Sequence, residues 1–276
     1  MRILGSGIDT YLYLNGLATD KAVHLSAGIE LLPTQTDCHA ELFLGLGKND
    51  LDISVISLFL PQVRSQLKVQ GADAKDTAMR AWNAVWDGLL LGALTGSEVM
   101  TNLQSDVPAE QLTPQSNVAV TNYQLRGLSK DSPPLLSEPD IYWIEKNYEK
   151  ARALLDDEAF RNAVHCLASF NWHSMPRARL AIIWSGIEGL FGVDSEIVFR
   201  VSLFAARFLE PNDLSKQREV FANVKELYKL RSKAVHGGRM KGNAKEGVNE
   251  SALLLRSLVR RCAEIGALPD TGSLVP

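Results

Sequence analysis

The sequence has few cysteines and no long hydrophobic run, and both absences limit what the chain can be. Three cysteines among 276 residues, without a C-x-x-C pair, argue against a disulfide framework and a zinc site. The longest apolar stretches, 53–60 and 89–94, are far shorter than the roughly 18 residues that a membrane span needs. Residues 1–7 lack the apolar stretch of a signal peptide. We therefore expect a cytoplasmic protein with no membrane partner.

Motifs for metals and cofactors are also missing. The five histidines show no H-E-x-x-H or other metal-ligand spacing. The G-x-G string at 5–7 has no strand before it and no helix after it, so it is not a dinucleotide fingerprint. We expect neither a metal nor a cofactor.

The net charge of −3 hides an asymmetry along the chain. Residues 1–138 hold 9 basic and 15 acidic side chains, whereas residues 139–276 hold 20 and 17. Within 216–261 there are 12 basic side chains against 4 acidic ones. Such a stretch can attract a polyanion even on an acidic protein, although solvated helix faces give the same excess.

The first half of the sequence has a mixed pattern. Short apolar runs are separated by turn residues, and we expect some of them to be strands; these runs occupy 41–46, 53–61 and 65–69. Two further extended segments lie around 99–103 and 118–125. A helix begins at Asp76, carries apolar side chains at three- and four-residue steps, and ends at Gly96. These features predict an α+β domain over residues 1–135.

The second half is helical almost throughout. A proline-containing linker over 130–139 precedes it, and we take residues 136–276 as an all-α helical bundle. Apolar residues from Ile141 to Leu155 step by three and four, which predicts the first helix. Further helices are predicted at about 158–170, 177–192, 195–209, 214–236 and 245–266.

One segment, Leu-Tyr-Lys-Leu-Arg-Ser-Lys-Ala-Val-His-Gly-Gly over 227–238, places a charge on an apolar helix face. Arg231 shares a stripe, at helical steps, with Val224, Tyr228 and Val235. A charged residue in such a place needs a partner, an interface or a ligand.

Two polar residues continue the pattern on the adjoining face. Ser232 and His236 are four positions apart and therefore share that face. The glycine pair at 237–238 ends the helix and leaves His236 in the last turn, where the helix dipole favours an imidazolium. Arg231 and His236 would then converge on one spot, which suits a phosphodiester.

Together with Trp-Ser-Gly-Ile-Glu-Gly-Leu-Phe at 184–191, this segment resembles the HEPN superfamily, in particular its Apea-like branch. The resemblance covers residues 139–266. It implies a HEPN-like helical bundle that dimerises to bring two Arg/His sets together, and a metal-independent endoribonuclease, with a role in antiphage defence. By that resemblance Arg231 and His236 are the catalytic candidates. Many members carry Asn, Asp or His directly after the arginine, whereas this chain has Ser232.

The chemistry of RNA cleavage suits these residue types. A histidine can act as general acid or base near neutral pH, and an arginine can clamp the non-bridging oxygens of a phosphate. Glu188 has two interpretations: it orients Arg231 through a charge-assisted hydrogen bond, or it lies on the exposed side of an amphipathic helix. Tyr228 stacks on an RNA base, or it is a core or dimer-interface residue.

Two functions are consistent with these residues. The first is a HEPN-type endoribonuclease whose N-terminal α+β domain senses a trigger, recognises substrate or restrains the nuclease. The second is a catalytically inactive HEPN bundle that binds RNA or a nucleotide, or that serves for dimerisation. We expect RNA and a second copy of the chain as partners, with a trigger or regulatory protein at the N-terminal domain. The predicted RNA-binding residues are Tyr228, Lys233, Arg239, Arg256 and Arg260.

Overall fold

The computed structural model describes residues 7–124, 132–236 and 244–274. The chain divides into two compact units, Met1–Glu149 and Lys150–Pro276. The first contains a β-sheet with helices, and the second is helical, so the predicted order of an α+β region followed by a helical region is confirmed. Among the described residues, no helix combines the length and the apolar character needed to span a membrane.

The first unit is built on an antiparallel sheet. Its elements are β1 (Asp9–Asn15), β2 (Val23–Ser26), β3 (Ile29–Pro33), α1 (Ala40–Leu46), α2 (Asp50–Phe59), β4 (Ser65–Gln70), α3 (Ala74–Thr95), β5 (Met100–Ser105) and β6 (Val118–Val120), followed by α4 (Glu138–Ala153), which continues into the second unit. The strand order is β2-β3-β4-β1-β5-β6. Strand β1 therefore lies inside the sheet, between β4 and β5.

Helices cover both faces of this sheet. Tyr13 belongs to a buried cluster with residues of α1 and α2, including Leu42 and Phe59. The next residue along β1, Leu14, lies against Gly88 of α3. Because successive side chains of a strand point to opposite faces, α3 packs on one face and α1 and α2 pack on the other.

Two of the predicted apolar runs fold as helices because polar residues cap them. The run at 41–46 is α1, whose first turn is capped by His39 Nδ1, which accepts a hydrogen bond from the Leu42 amide. The run at 53–61 is mostly α2, which begins after Asn49; that side chain accepts from two amides of the first turn. The run at 65–69 is a strand, as is the segment around 99–103, whereas only residues 118–120 of the segment predicted around 118–125 form a strand.

The helix predicted from Asp76 is confirmed as α3, and it ends at Gly96 in the left-handed conformation. The beginning of its apolar stripe, however, lies on the solvent side, whereas Leu90 near the end of the stripe is buried. Met79 is 56% exposed and Trp82 is 54% exposed. The face toward the sheet carries small residues such as Ala84 and Gly88 instead. Small side chains let the helix approach the sheet closely. The helix therefore buries the face that carries small residues, although larger apolar side chains lie on another face.

The second unit follows the predicted helical pattern closely. After the end of α4 come α5 (Glu158–Ser169), α6 (Pro176–Phe191), α7 (Ile197–Leu209), α8 (Leu214–Val235) and α9 (Ala244–Ile265). Their ends lie within two residues of the predicted ones. The prediction of a helical bundle is therefore confirmed.

Helix α6 lies at the centre of this bundle and packs against each of the other helices of the unit from α5 to α9. It comes very close to α5 and α9 at Gly186, where an added Cβ would lie 2.8 Å from a methyl group of Leu255 and 3.2 Å from Cβ of Cys166. Two residues earlier, the fully buried Trp184 donates from Nε1 to Ser251 Oγ of α9 at 3.2 Å. The close approach at Gly186 thus sets the distance of α6 from α5 and α9, and the Trp184 hydrogen bond sets the rotation of α6 about its own axis.

Candidate functional site

The predicted partner of Arg231 is Glu188. The Arg231 Nη2 atom donates to Glu188 Oε2 at 3.0 Å, and both side chains are 21% exposed. Of the two interpretations of Glu188, the structure supports the one in which it orients Arg231 by a charge-assisted hydrogen bond. The pair joins α6 to α8 and keeps the guanidinium half-buried near the end of α8.

Burial dominates the electrostatics of this pair. It raises the pKa of the Glu188 carboxyl, and the nearby Arg231 guanidinium lowers the pKa by a smaller amount. One atom on each side chain, Glu188 Oε1 and Arg231 Nε, is buried without a hydrogen-bond partner among the described residues. The pair is therefore held through one contact and is not bidentate.

The ring of Tyr228 packs beside the Arg231 guanidinium, and Trp184 packs against that ring. The carbon Cζ of Arg231 lies 5.3 Å from the centroid of the Tyr228 ring, within range of a cation–π interaction. That ring meets Trp184 edge to face, with centroids 5.2 Å apart. Tyr228 is only 9% exposed. Its position in the monomer therefore matches the core alternative better than a platform on which an RNA base stacks.

Ser232 lies in the last turn of α8, and His236 lies just beyond the helix. Helix α8 ends at Val235, so His236 is the residue immediately after the helix and not part of its last turn. Its amide donates to Ser232 O at 3.0 Å, and its side chain is exposed. The glycines at 237–238, which were predicted to end the helix, lie outside the described residues. An exposed imidazole at a helix end is accessible to a phosphodiester.

Sequence patterns missed one further residue at this helix end. Arg177, in the first turn of α6, donates from Nη1 to the carbonyl oxygens of Lys233 at 3.2 Å and of Ala234 at 3.0 Å. A contact from a side chain to backbone carbonyls has no counterpart in the residue pattern of α8. The signal available in the sequence is only an arginine near the start of a predicted helix.

The predicted RNA-binding residues are spread over two helices. Lys233 is exposed on α8. Arg256 and Arg260 lie one turn apart on α9 and are both half-buried. Arg239 lies outside the described residues. The structure therefore brings Glu188 and Tyr228 into contact with Arg231, places Ser232 and Lys233 in the last turn of α8, and places His236 just beyond the helix.

This arrangement combines a positioned cation with an accessible imidazole. Arg231 is held by Glu188 and Tyr228, and such pre-organisation is what stabilisation of a developing negative charge requires. His236 is exposed one turn further along the chain. Comparisons with protein-family models, with curated proteins and with solved structures found no match to this chain. The resemblance to the HEPN superfamily therefore rests on the motif residues themselves.

Proposed function

We propose that the chain is a metal-independent endoribonuclease of the HEPN type. One observation carries the proposal: the motif arginine, Arg231, is half-buried and oriented by Glu188, while the motif histidine, His236, is exposed at the end of the same helix. A purely solvated basic helix face has no need of a buried carboxylate partner for one of its arginines. The family resemblance adds a role in antiphage defence.

The proposed reaction uses the 2′-hydroxyl of the RNA as the nucleophile. The 2′-oxygen attacks the adjacent phosphorus while the bond from phosphorus to the 5′-oxygen breaks. His236 takes the proton from the 2′-hydroxyl while water protonates the leaving 5′-oxygen, or it gives a proton to the 5′-oxygen while water accepts the proton of the 2′-hydroxyl. Arg231 stabilises the charge that develops on the non-bridging oxygens. The products are a 2′,3′-cyclic phosphate and a 5′-hydroxyl.

The test is cleavage of single-stranded RNA by the full chain in the presence of EDTA. We expect cyclic-phosphate products and no cleavage at a site where a 2′-deoxy nucleotide precedes the scissile phosphate. The variant His236→Ala should lose roughly 10²-fold or more in rate, as expected for a general acid or base. The matched control is His24→Ala, which removes another exposed histidine, from β2. A requirement for magnesium, or full activity of His236→Ala, would contradict the mechanism.

A second candidate function also has an observation in its favour. At 3.0 Å, Glu188 neutralises much of the charge of Arg231, which also suits a structural ion pair in an inactive RNA-binding or dimerisation bundle. In that case RNA binding survives His236→Ala and no cleavage occurs with either protein. The two functions are thus separated by the same experiment.

The basic stretch offers a test of where RNA binds. Lys233 is exposed, so Lys233→Glu should weaken RNA binding and reduce the slope of log affinity against log salt concentration by about one phosphate contact or more. The control is Lys21→Glu, an exposed lysine of the first unit. An unchanged slope for Lys233→Glu would place the RNA elsewhere.

A further inference from the structure

The end of α8 is held by a side chain from another helix. The last carbonyls of any helix lack partners within it, and many helices satisfy them with a left-handed glycine. Helices α3 and α6 end in this way, at Gly96 with φ of 78° and at Gly192 with φ of 59°. Helix α8 is followed by His236, with φ of −91° and ψ of 17°. Two of its last carbonyls accept hydrogen bonds from Arg177 of α6.

Helix α6 therefore contacts both parts of the candidate site, which are the Arg231 side chain and the end of α8 before His236. Near its N-terminus, Arg177 binds the carbonyls of Lys233 and Ala234. Near its C-terminus, Glu188 binds the Arg231 side chain. The bond to Ala234 lies two residues before His236. A shift of the last turn of α8 would move His236 relative to Arg231.

We propose that Arg177 is a positioning residue for the cleavage reaction: it holds the last turn of α8, and through this turn it places His236 beside the phosphate that Arg231 binds. The inference rests on the proposed function. Arg177 acts through the backbone of α8, because its Nη1 atom is bonded to carbonyl oxygens. Charge-assisted hydrogen bonds of this kind are stronger than neutral ones, and they match the negative end of the helix dipole.

The kinetic test compares Arg177→Ala with a matched control, Arg179→Ala. The guanidinium of Arg179 also binds two carbonyl oxygens, those of His173 and Asn171, but not on α8. A loss of position without a loss of substrate contact lowers kcat and leaves KM unchanged. For Arg177→Ala we expect kcat to fall roughly 10- to 100-fold, with KM within about twofold of wild type. Arg179→Ala should keep kcat near wild type.

Two further variants separate positioning from other roles. Arg177→Lys keeps the charge and can bond one carbonyl, so it should recover part of kcat; it also serves if Arg177→Ala fails to fold. In the His236→Ala background, Arg177→Ala should cause no further loss, because the group that it positions is already gone. A fall in kcat of the same size in both backgrounds would overturn the inference, as would a change confined to KM.

Hydrogen exchange gives a readout that does not depend on cleavage. The His236 amide, which donates to Ser232 O, reports on the last turn of α8. This amide should exchange about tenfold faster in Arg177→Ala and at the wild-type rate in Arg179→Ala. Unchanged exchange or unchanged kcat in Arg177→Ala overturns the role of Arg177 alone. Failure of the wild-type chain to cleave RNA overturns the proposed function, and the positioning role with it.

Discussion

The half-buried pair of Glu188 and Arg231 leads to a prediction about stability. Glu188→Gln keeps the shape of the side chain and an oxygen that can accept from Arg231, but it removes the negative charge. Breaking a fully buried ion pair costs about 3–5 kcal/mol, and breaking an exposed one costs about 0–1 kcal/mol. Here, however, burial raises the pKa of Glu188 more than Arg231 lowers it, so the charge is a net cost in the folded state; we expect Glu188→Gln to leave the free energy of unfolding near neutral pH unchanged or higher by up to about 1 kcal/mol.

The difference in unfolding free energy between wild type and Glu188→Gln should depend on pH. Burial raises the pKa of Glu188 above its ordinary value of 4.5, and Arg231 offsets this only in part. The folded state then binds the proton more tightly than the unfolded state, so this titration adds stability below pH 4.5 and loses it as pH rises through the raised pKa. Glutamine does not titrate. Wild type should therefore lose stability relative to Glu188→Gln as pH rises.

The measurement is native-state hydrogen exchange of peptides from α6 and α8 in urea, at several pH values from 4 upward, because it reads the unit that holds the pair. The control is Glu226→Gln, which breaks the exposed ion pair to Lys229. Lys229 lowers the pKa of Glu226, so its small contribution should grow with pH, the opposite direction. If the free energy of unfolding of wild type rose relative to that of Glu188→Gln as pH increased, the attraction of Arg231 would outweigh burial and the reasoning would be wrong.

Three further predictions concern the bundle. Gly186→Ala should lower the free energy of unfolding by about 1–3 kcal/mol because its new methyl group meets α5 and α9, whereas Gly189→Ala, whose Cβ would meet only Asn162 Nδ2 at 3.5 Å, should be neutral or stabilising in thermal unfolding. Trp184→Phe should cost about 1–3 kcal/mol, measured in the same way, because it removes the hydrogen bond to the buried Ser251. We also expect a homodimer, since two-fold symmetry would double the charge at the site; sedimentation showing only monomer at tens of micromolar would contradict this.

The helices of the second unit could be predicted because their signals are local. Each apolar stripe repeats at helical spacing, and turn or capping residues mark the ends. Asp213 caps α8 by accepting from two amides of the first turn, and Gly192 ends α6. Such signals lie within a few residues of the element that they define.

The first unit was harder to predict because its patterns depend on what packs against them. In β1, Leu12, Tyr13 and Leu14 are all buried, since helices cover both faces of the sheet, and the alternation expected of a half-exposed strand is missing. In α3, apolar periodicity marked the helix correctly. The periodicity could not show that Trp82 would face solvent while Gly88 faced the sheet.

The candidate site likewise combines features that local sequence signals predict with contacts that depend on tertiary packing. The step from Tyr228 to Arg231 predicted that the arginine needs a partner, and Glu188 was one of two interpretations for a residue on another helix. Deciding between them required the packing of α6 on α8, which places the two side chains 3.0 Å apart. Arg177 could not be predicted, because it recognises backbone carbonyls that every residue carries.

The central position of β1 has a consequence for the order in which the protein folds. This strand is made before both of its partners, Ser65–Gln70 and Met100–Ser105, which come much later along the chain. Closing such long loops delays pairing, so the sheet should form slowly compared with the helical unit, whose contacts are more local. Until β5 leaves the ribosome, the apolar centre of β1 lacks a neighbour on one side. A nascent chain that stops before residue 100 should therefore bind chaperones and aggregate, even though β1 to β4 are already complete.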